Sequence, residues 1–106
     1  MLAAISPPEL KQRLDRGDDV VVLDVREPEE VALAQVPGSI HIPLTELPGR
    51  LHELDPGREI VVLCHHGIRS ANVAAFLAQR DFEHVSNLAG GIDRWSQTVD
   101  PGVPRY

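Results

Sequence analysis

The sequence predicts an α/β fold: an open, mainly parallel sheet of about five short strands with helices on both faces. Three observations carry that prediction. Val20-Val21-Val22-Leu23 and Ile60-Val61-Val62-Leu63 are wholly apolar runs bounded by polar residues, the pattern of strands buried on both faces. Segments of strand character alternate with helical segments along the chain, as a parallel sheet with crossover helices requires. The length of 106 residues suits a single domain, 1–106, with one modest core.

The elements follow in order. Ser6-Pro7-Pro8-Glu9 supplies a cap residue, proline in the first turn and a glutamate three positions after the serine. It opens a helix that turns Leu10 and Leu14 inward and stops at Gly17. Val20 to Leu23 is the first buried strand. Glu27 to Ala34 is helical, with its acids in the first turn where the helix dipole favours them; the run Glu27-Pro28-Glu29-Glu30 reads as a solvated helix start. Ser39 to Ile42 is a short strand closed by Pro43. Leu44, Leu47, Leu51 and Leu54 form a helical stripe interrupted at Pro48-Gly49. Asp55-Pro56-Gly57 turns the chain into the second buried strand, Ile60 to Leu63. Ser70 to Arg80 is a helix burying Val73, Phe76 and Leu77. Val85 to Leu88 is the last strand, Ala89-Gly90-Gly91 a turn, and Ile92 to Gln97 a closing helix that packs Trp95 beneath that turn.

Composition excludes several classes of function. The net charge is −6 and no basic stripe exists to neutralise phosphates, so nucleic acid is not an expected partner. No apolar run reaches the ~20 residues that cross a bilayer, and Met1 to Ile5 lacks the basic flank of a secretory signal. A cytoplasmic protein without a membrane partner is expected. A single cysteine allows neither an internal disulfide nor a CxxC-type zinc or redox site. His65 and His66 are adjacent and lack a third spaced ligand, so no metal is expected.

That cysteine occupies the place where open α/β sheets put their sites. Cys64 follows the strand Ile60–Leu63, and His65-His66-Gly67-Ile68-Arg69 leads into the next helix. A short loop wrapping a strand end turns several backbone N–H groups toward one point. Those donors, with the helix dipole, form an anion cradle that needs no net positive charge. A thiolate at its base is stabilised for the same reason. Gly67 lets the backbone adopt a left-handed conformation close to a ligand, and Arg69 offers a planar fork for an oxyanion. The alternative for Cys64 is an inert thiol ending a strand.

The segment Cys64-His65-His66-Gly67-Ile68-Arg69-Ser70 resembles the active-site loop of the rhodanese family of sulfurtransferases: cysteine, two residues, glycine, one residue, arginine, then serine or threonine. Leu23-Asp24-Val25-Arg26-Glu27 resembles that family's strand-end motif. Val36-Pro37-Gly38-Ser39-Ile40-His41-Ile42-Pro43 resembles its Pro-Gly segment. Leu88-Ala89-Gly90-Gly91 with Trp95 resembles its closing glycine pair and tryptophan. The four segments fall in family order across nearly the whole chain. Two positions depart from common family choices: Gln35 stands where histidine is frequent, and His65 where many active members carry a basic residue. Four residues separate Cys64 from Arg69, one fewer than in the longer loop of cysteine phosphatases, which turns the expectation from a phosphoryl group to a sulfane sulfur.

The resemblance implies a sulfurtransferase working through a Cys64 persulfide, without a cofactor. Its donor would be a small sulfane-sulfur compound such as thiosulfate; its acceptor would be cyanide, a thiol or a partner protein's cysteine. The loop residues His65 to Arg69 would hold the transferred sulfur. Arg69 either assists donor binding or ties the loop to the scaffold. Asp24, Arg26 and Ser70 either border the pocket or support it, with an Asp24–Arg26 ion pair the favoured arrangement. The competing reading is a non-catalytic binding module or a partner-dependent sulfur carrier on the same fold.

Overall fold

The computed structural model describes residues 3–106. Strands β1 (Ala3–Ile5), β2 (Val20–Asp24), β3 (Ile40–His41), β4 (Glu59–Leu63) and β5 (Val85–Leu88) form one sheet in the order β1-β5-β4-β2-β3. Every pairing is parallel. Helices α1 (Pro7–Asp15), α2 (Pro28–Leu33), α3 (Leu47–Arg50), α4 (Ile68–Gln79) and α5 (Gly91–Thr98) connect them, with a 3-10 turn at Leu51–Glu53.

Alternation along the central strands divides the core in two. Val21, Leu23, Ile60, Val62 and Cys64 point to one face, where Leu47, Val73, Ala74 and Leu77 of α3 and α4 cover them. Val22, Val61 and Leu63 point to the other, against Leu10 of α1 and Ile92 and Trp95 of α5. Phe76 is half-buried at the margin of the first cluster. Cys64 thus inherits its direction from strand period: it continues the row of Ile60 and Val62 toward α4.

Three elements differ from the sequence expectation, the first being that Pro48-Gly49 lies inside α3 rather than interrupting the leucine stripe, because a helix's first turn accepts proline without losing a hydrogen bond. Ala3–Ile5 is a strand, pairing Ala3 with Ser86 and Ile5 with Leu88. Only Ile5 of the three is buried, and the short run Ala3-Ala4-Ile5, two of whose residues are alanines of low strand preference, does not announce a strand. Met1 and Leu2, the start of the segment tested as a secretory signal, lie outside the described residues. Helix α4 begins at Ile68 rather than Ser70 because Gly67, with φ 98°, serves as its N-cap in the left-handed region. Ile68 and Arg69 therefore belong to the helix's first turn, not to a free loop.

The topology fixes where a site can form. From β2 the chain crosses to β3 on one side; from β4 it crosses to β5 on the other. β2 and β4 are neighbours whose connections diverge, which makes the region beyond their carboxyl ends the switch point where open α/β sheets place a crevice. Asp24 ends β2, and Cys64 immediately follows β4.

Candidate active site

Cys64 sits at the base of the turn from β4 to α4. Its Sγ accepts the Gly67 N–H at 3.1 Å and the Ser70 N–H at 3.4 Å, and the Ser70 Oγ lies 3.3 Å away. Burial pushes the thiol up. The Ser70 hydroxyl, the Ser70 and Gly67 amides and the His66 amide together outweigh that push, so Cys64 sits below its ordinary pKa. The Ser70 hydroxyl has one proton to give and also faces Asn87 Oδ1, whose amide is oriented by Asn87 Nδ2 donating to the Gly67 carbonyl at 3.1 Å. A proton given to Asn87 is withheld from sulfur. The backbone amides therefore carry the constant part of the stabilisation.

The site is more enclosed than an open-mouthed loop would be. Cys64 is 1% exposed. His65 stacks on His66 (ring centroids 3.8 Å apart) and on Tyr106 (3.9 Å, planes within 10°). Burial first, and the neighbouring His66 second, lower the His65 pKa, so this ring is uncharged near neutral pH. Gly67 lies at the loop's centre. The first-turn Ile68 is 75% exposed and makes no contribution to the core.

Both terminal nitrogens of Arg69 bind the scaffold. Its Nη1 and Nη2 donate to Glu30 Oε1 and Oε2 at 2.6 and 2.8 Å, a bidentate pair joining α4 to α2. Arg69 holds the Glu30 carboxyl far down, to about 2, against the opposing push of burial, and Tyr106 adds a smaller pull. Glu30 is thus not part of a solvated helix start: the crossover brings α2 against the Cys64 loop, which the local sequence could not reveal. The Tyr106 hydroxyl donates to Glu30 Oε2 at 2.8 Å, and burial leads its rise to about 12.

Asp24 and Arg26 are both 0% exposed and bound to one another. Arg26 Nε and Nη2 donate to the Asp24 carboxylate at 2.9 and 2.6 Å; Nη2 also reaches the Ala34 carbonyl, and Nη1 reaches the Glu30 carbonyl and the Tyr106 hydroxyl. The pair lies under the crevice, holding β2, α2 and residue 106 together.

Four residues outside the expected set complete the surroundings: Glu30, Asn87, Asp93 and Tyr106. Asn87 carried a readable signal, a polar amide inside a strand next to an apolar core. Asp93 stands beside the histidine pair, and potential ligand atoms of His65, His66 and Asp93 lie within 4.8 Å of one another. The third ligand missing from the sequence thus exists in space, but Asp93 Oδ1 accepts from Arg105 Nε at 2.9 Å and Oδ2 from Gln97 Nε2 at 3.0 Å. Elsewhere, an apolar hollow of about 210 Å³ lies between α3 and α4, lined by Leu44, Leu47, Pro48, Asn72, Val73 and Phe76. It shares no residue with the Cys64 turn.

Comparison with known proteins agrees with this geometry. Residues 6–98 match the model of the Rhodanese-like domain. A protein named sulfurtransferase from Allochromatium vinosum is 35% identical over 97 residues, covering 92% of this chain and 91% of the relative. Thiosulfate sulfurtransferase GlpE of Pseudomonas fluorescens is 36% identical over 92 residues, covering 87% of this chain and 84% of its own length. The crystal structure of a rhodanese-related protein from Thermoplasma volcanium superposes with a TM-score of 0.85 at 32% identity, over 98% of this chain and 99% of that one. The loop pattern, the cradle and these matches agree: the chain belongs to the rhodanese-like domain family.

Proposed function

We propose that Cys64 is the nucleophile of this chain and carries sulfur as a persulfide between two half-reactions. The chain is a rhodanese-type sulfurtransferase. In the first half-reaction the Cys64 thiolate attacks the outer sulfur of a sulfane donor such as thiosulfate. A new S–S bond forms at Cys64, the donor's S–S bond breaks, and sulfite departs with the electron pair. In the second, cyanide, a small thiol or a partner protein's cysteine attacks the terminal sulfur, and the Cys64 thiolate leaves. Each half is a displacement at sulfur by a nucleophile that reacts as its anion (the Cys64 thiolate first, cyanide or an acceptor thiolate second), so no dedicated general base is required.

The observation that carries this reading is the convergence of the Gly67 and Ser70 amides on Cys64 Sγ. The same donors that favour the thiolate stabilise it again as a leaving group. Arg69 acts chiefly as a brace, since both terminal nitrogens already bind Glu30. Asp24 and Arg26 support the crevice from below. Among the described residues no helix is long and apolar enough to cross a membrane. We assign the reaction to the cytoplasm, where a thiol of lowered pKa stays reduced.

Incubation with thiosulfate followed by intact mass measurement tests the proposal. The expected result is the gain of one sulfur atom, its loss on adding cyanide, and the appearance of thiocyanate. Sulfur loading that survives Cys64→Ser would overturn it. Loading without turnover would turn the reading toward a sulfur carrier.

A further inference from the structure

Arg69 is the single Lys or Arg in the segment 64–70. Its charge is not free, because Glu30 occupies both arms of its fork at 2.6 and 2.8 Å, and Tyr106 fixes the same carboxylate from the other side at 2.8 Å. Glu30 is ionised at any ordinary assay pH, and His65 is uncharged. The loop thus faces two ion pairs, Arg69 with Glu30 and, beside His66, Arg105 with Asp93, and neither gives it a net positive charge on a chain whose net charge is −6.

We infer that Glu30 is a specificity-determining residue: by neutralising Arg69 it disfavours dianionic sulfur donors relative to donors of lower charge, such as persulfides and thiosulfonates. This deepens the sulfur-transfer reading and rests on it. The physical argument is Coulombic. Charges add: a lone Arg69 would attract a dianion twice as strongly as a monoanion, and the ionised Glu30 paired with it cancels that advantage by repelling the dianion twice as strongly. The backbone amides bind the reacting sulfur of either donor, so discrimination falls on the neighbouring charges.

Thiosulfate and methanethiosulfonate isolate the effect. Each hands its outer sulfur to Cys64; one releases sulfite and the other methanesulfinate, and they differ by one unit of charge. The measured quantity is the ratio of kcat/KM for thiosulfate to kcat/KM for methanethiosulfonate, with cyanide as acceptor. Glu30→Gln is expected to raise that ratio about threefold, from charges roughly 6 Å apart in a water-like dielectric. Arg69→Gln, which leaves Glu30 uncompensated, is expected to lower it by a similar factor. Both shifts should shrink in about 1 M salt, where the screening length falls to about 3 Å.

Loosening of the loop would move both variants in the same direction, so opposite shifts support the assignment. A ratio unchanged in Glu30→Gln, or moved in the same direction by both substitutions, overturns it while leaving sulfur transfer intact. Should Glu30→Gln fail to fold, the Arg69→Gln ratio and its salt dependence decide alone. Failure of the wild-type protein to turn over either donor overturns the sulfur-transfer reading and this inference with it.

Discussion

Two turns of this molecule share one local design and use it differently. In the first, β4 passes through Cys64 to a left-handed Gly67 (φ 98°) and then α4; in the second, β5 passes to a left-handed Gly90 (φ 78°) and then α5. The turns touch, since a Cβ on Gly67 would lie 3.2 Å from the Gly90 nitrogen. Their free amides go to different acceptors. Those of Gly67 and Ser70 aim at the Cys64 sulfur. Those of Ile92 and Asp93 donate to the Cys64 and His65 carbonyls at 2.9 and 3.1 Å. A helix start whose donors are satisfied by fixed carbonyls is scaffold, whereas one whose donors meet an ionisable sulfur is equipped for chemistry. The second turn holds the first in shape.

The contrast can be broken at the sulfur, at the brace or at a single donor, with diminishing effect. Cys64→Ser removes the one acceptor that distinguishes the first turn, and thiocyanate formation is expected to fall to background. Gly91→Ala attacks the brace. Its Cβ would stand 2.4 Å from the His65 carbonyl oxygen and 2.5 Å from that of Cys64, at a φ of 63° that L residues rarely adopt. Denaturant unfolding should report a loss of about 2–4 kcal/mol, with kcat reduced in whatever protein folds.

Ser70→Ala removes one donor and leaves both amides in place. The thiolate titration in the pH profile of kcat/KM should move to higher pH, and activity near pH 7 should drop about threefold to tenfold. The proton shared with Asn87 keeps this effect small. The mildest expectation concerns the tether between α4 and α2. Glu30 is depressed from 4.5 to about 2, so its contribution to stability is complete above about pH 4.5 and is lost as pH falls toward 2. Glu30→Gln should flatten acid unfolding across that window in a circular dichroism titration. Its full slope in the variant would show that the pair contributes nothing there.

How far the sequence speaks depends on distance along the chain. The buried strands were legible because Val20–Leu23 and Ile60–Leu63 are continuous apolar runs, and the Cys64 turn because its glycine and arginine follow within a few residues. β1 was not legible, since two of its three residues are exposed at a sheet edge. Glu30 and Tyr106 escaped for another reason. Each acts through a partner far away in sequence: Glu30 through Arg69, 39 positions on, and Tyr106 through Glu30, 76 positions back. Local patterns report faces and turns; they are silent on which surfaces the sheet topology will bring together.

The Arg26 hub has a consequence for how the protein breathes. Helix α2 has no fully buried side chain of its own, yet Arg26 binds the carbonyl of Glu30 in its first turn and that of Ala34 at its C-cap while gripping Asp24. A helix held by the guanidiniums of Arg26 and Arg69 rather than by apolar packing does not fray gradually. Amide exchange across 29–34 should occur in a single cooperative opening, and that opening would release Glu30 from Arg69 in the same event.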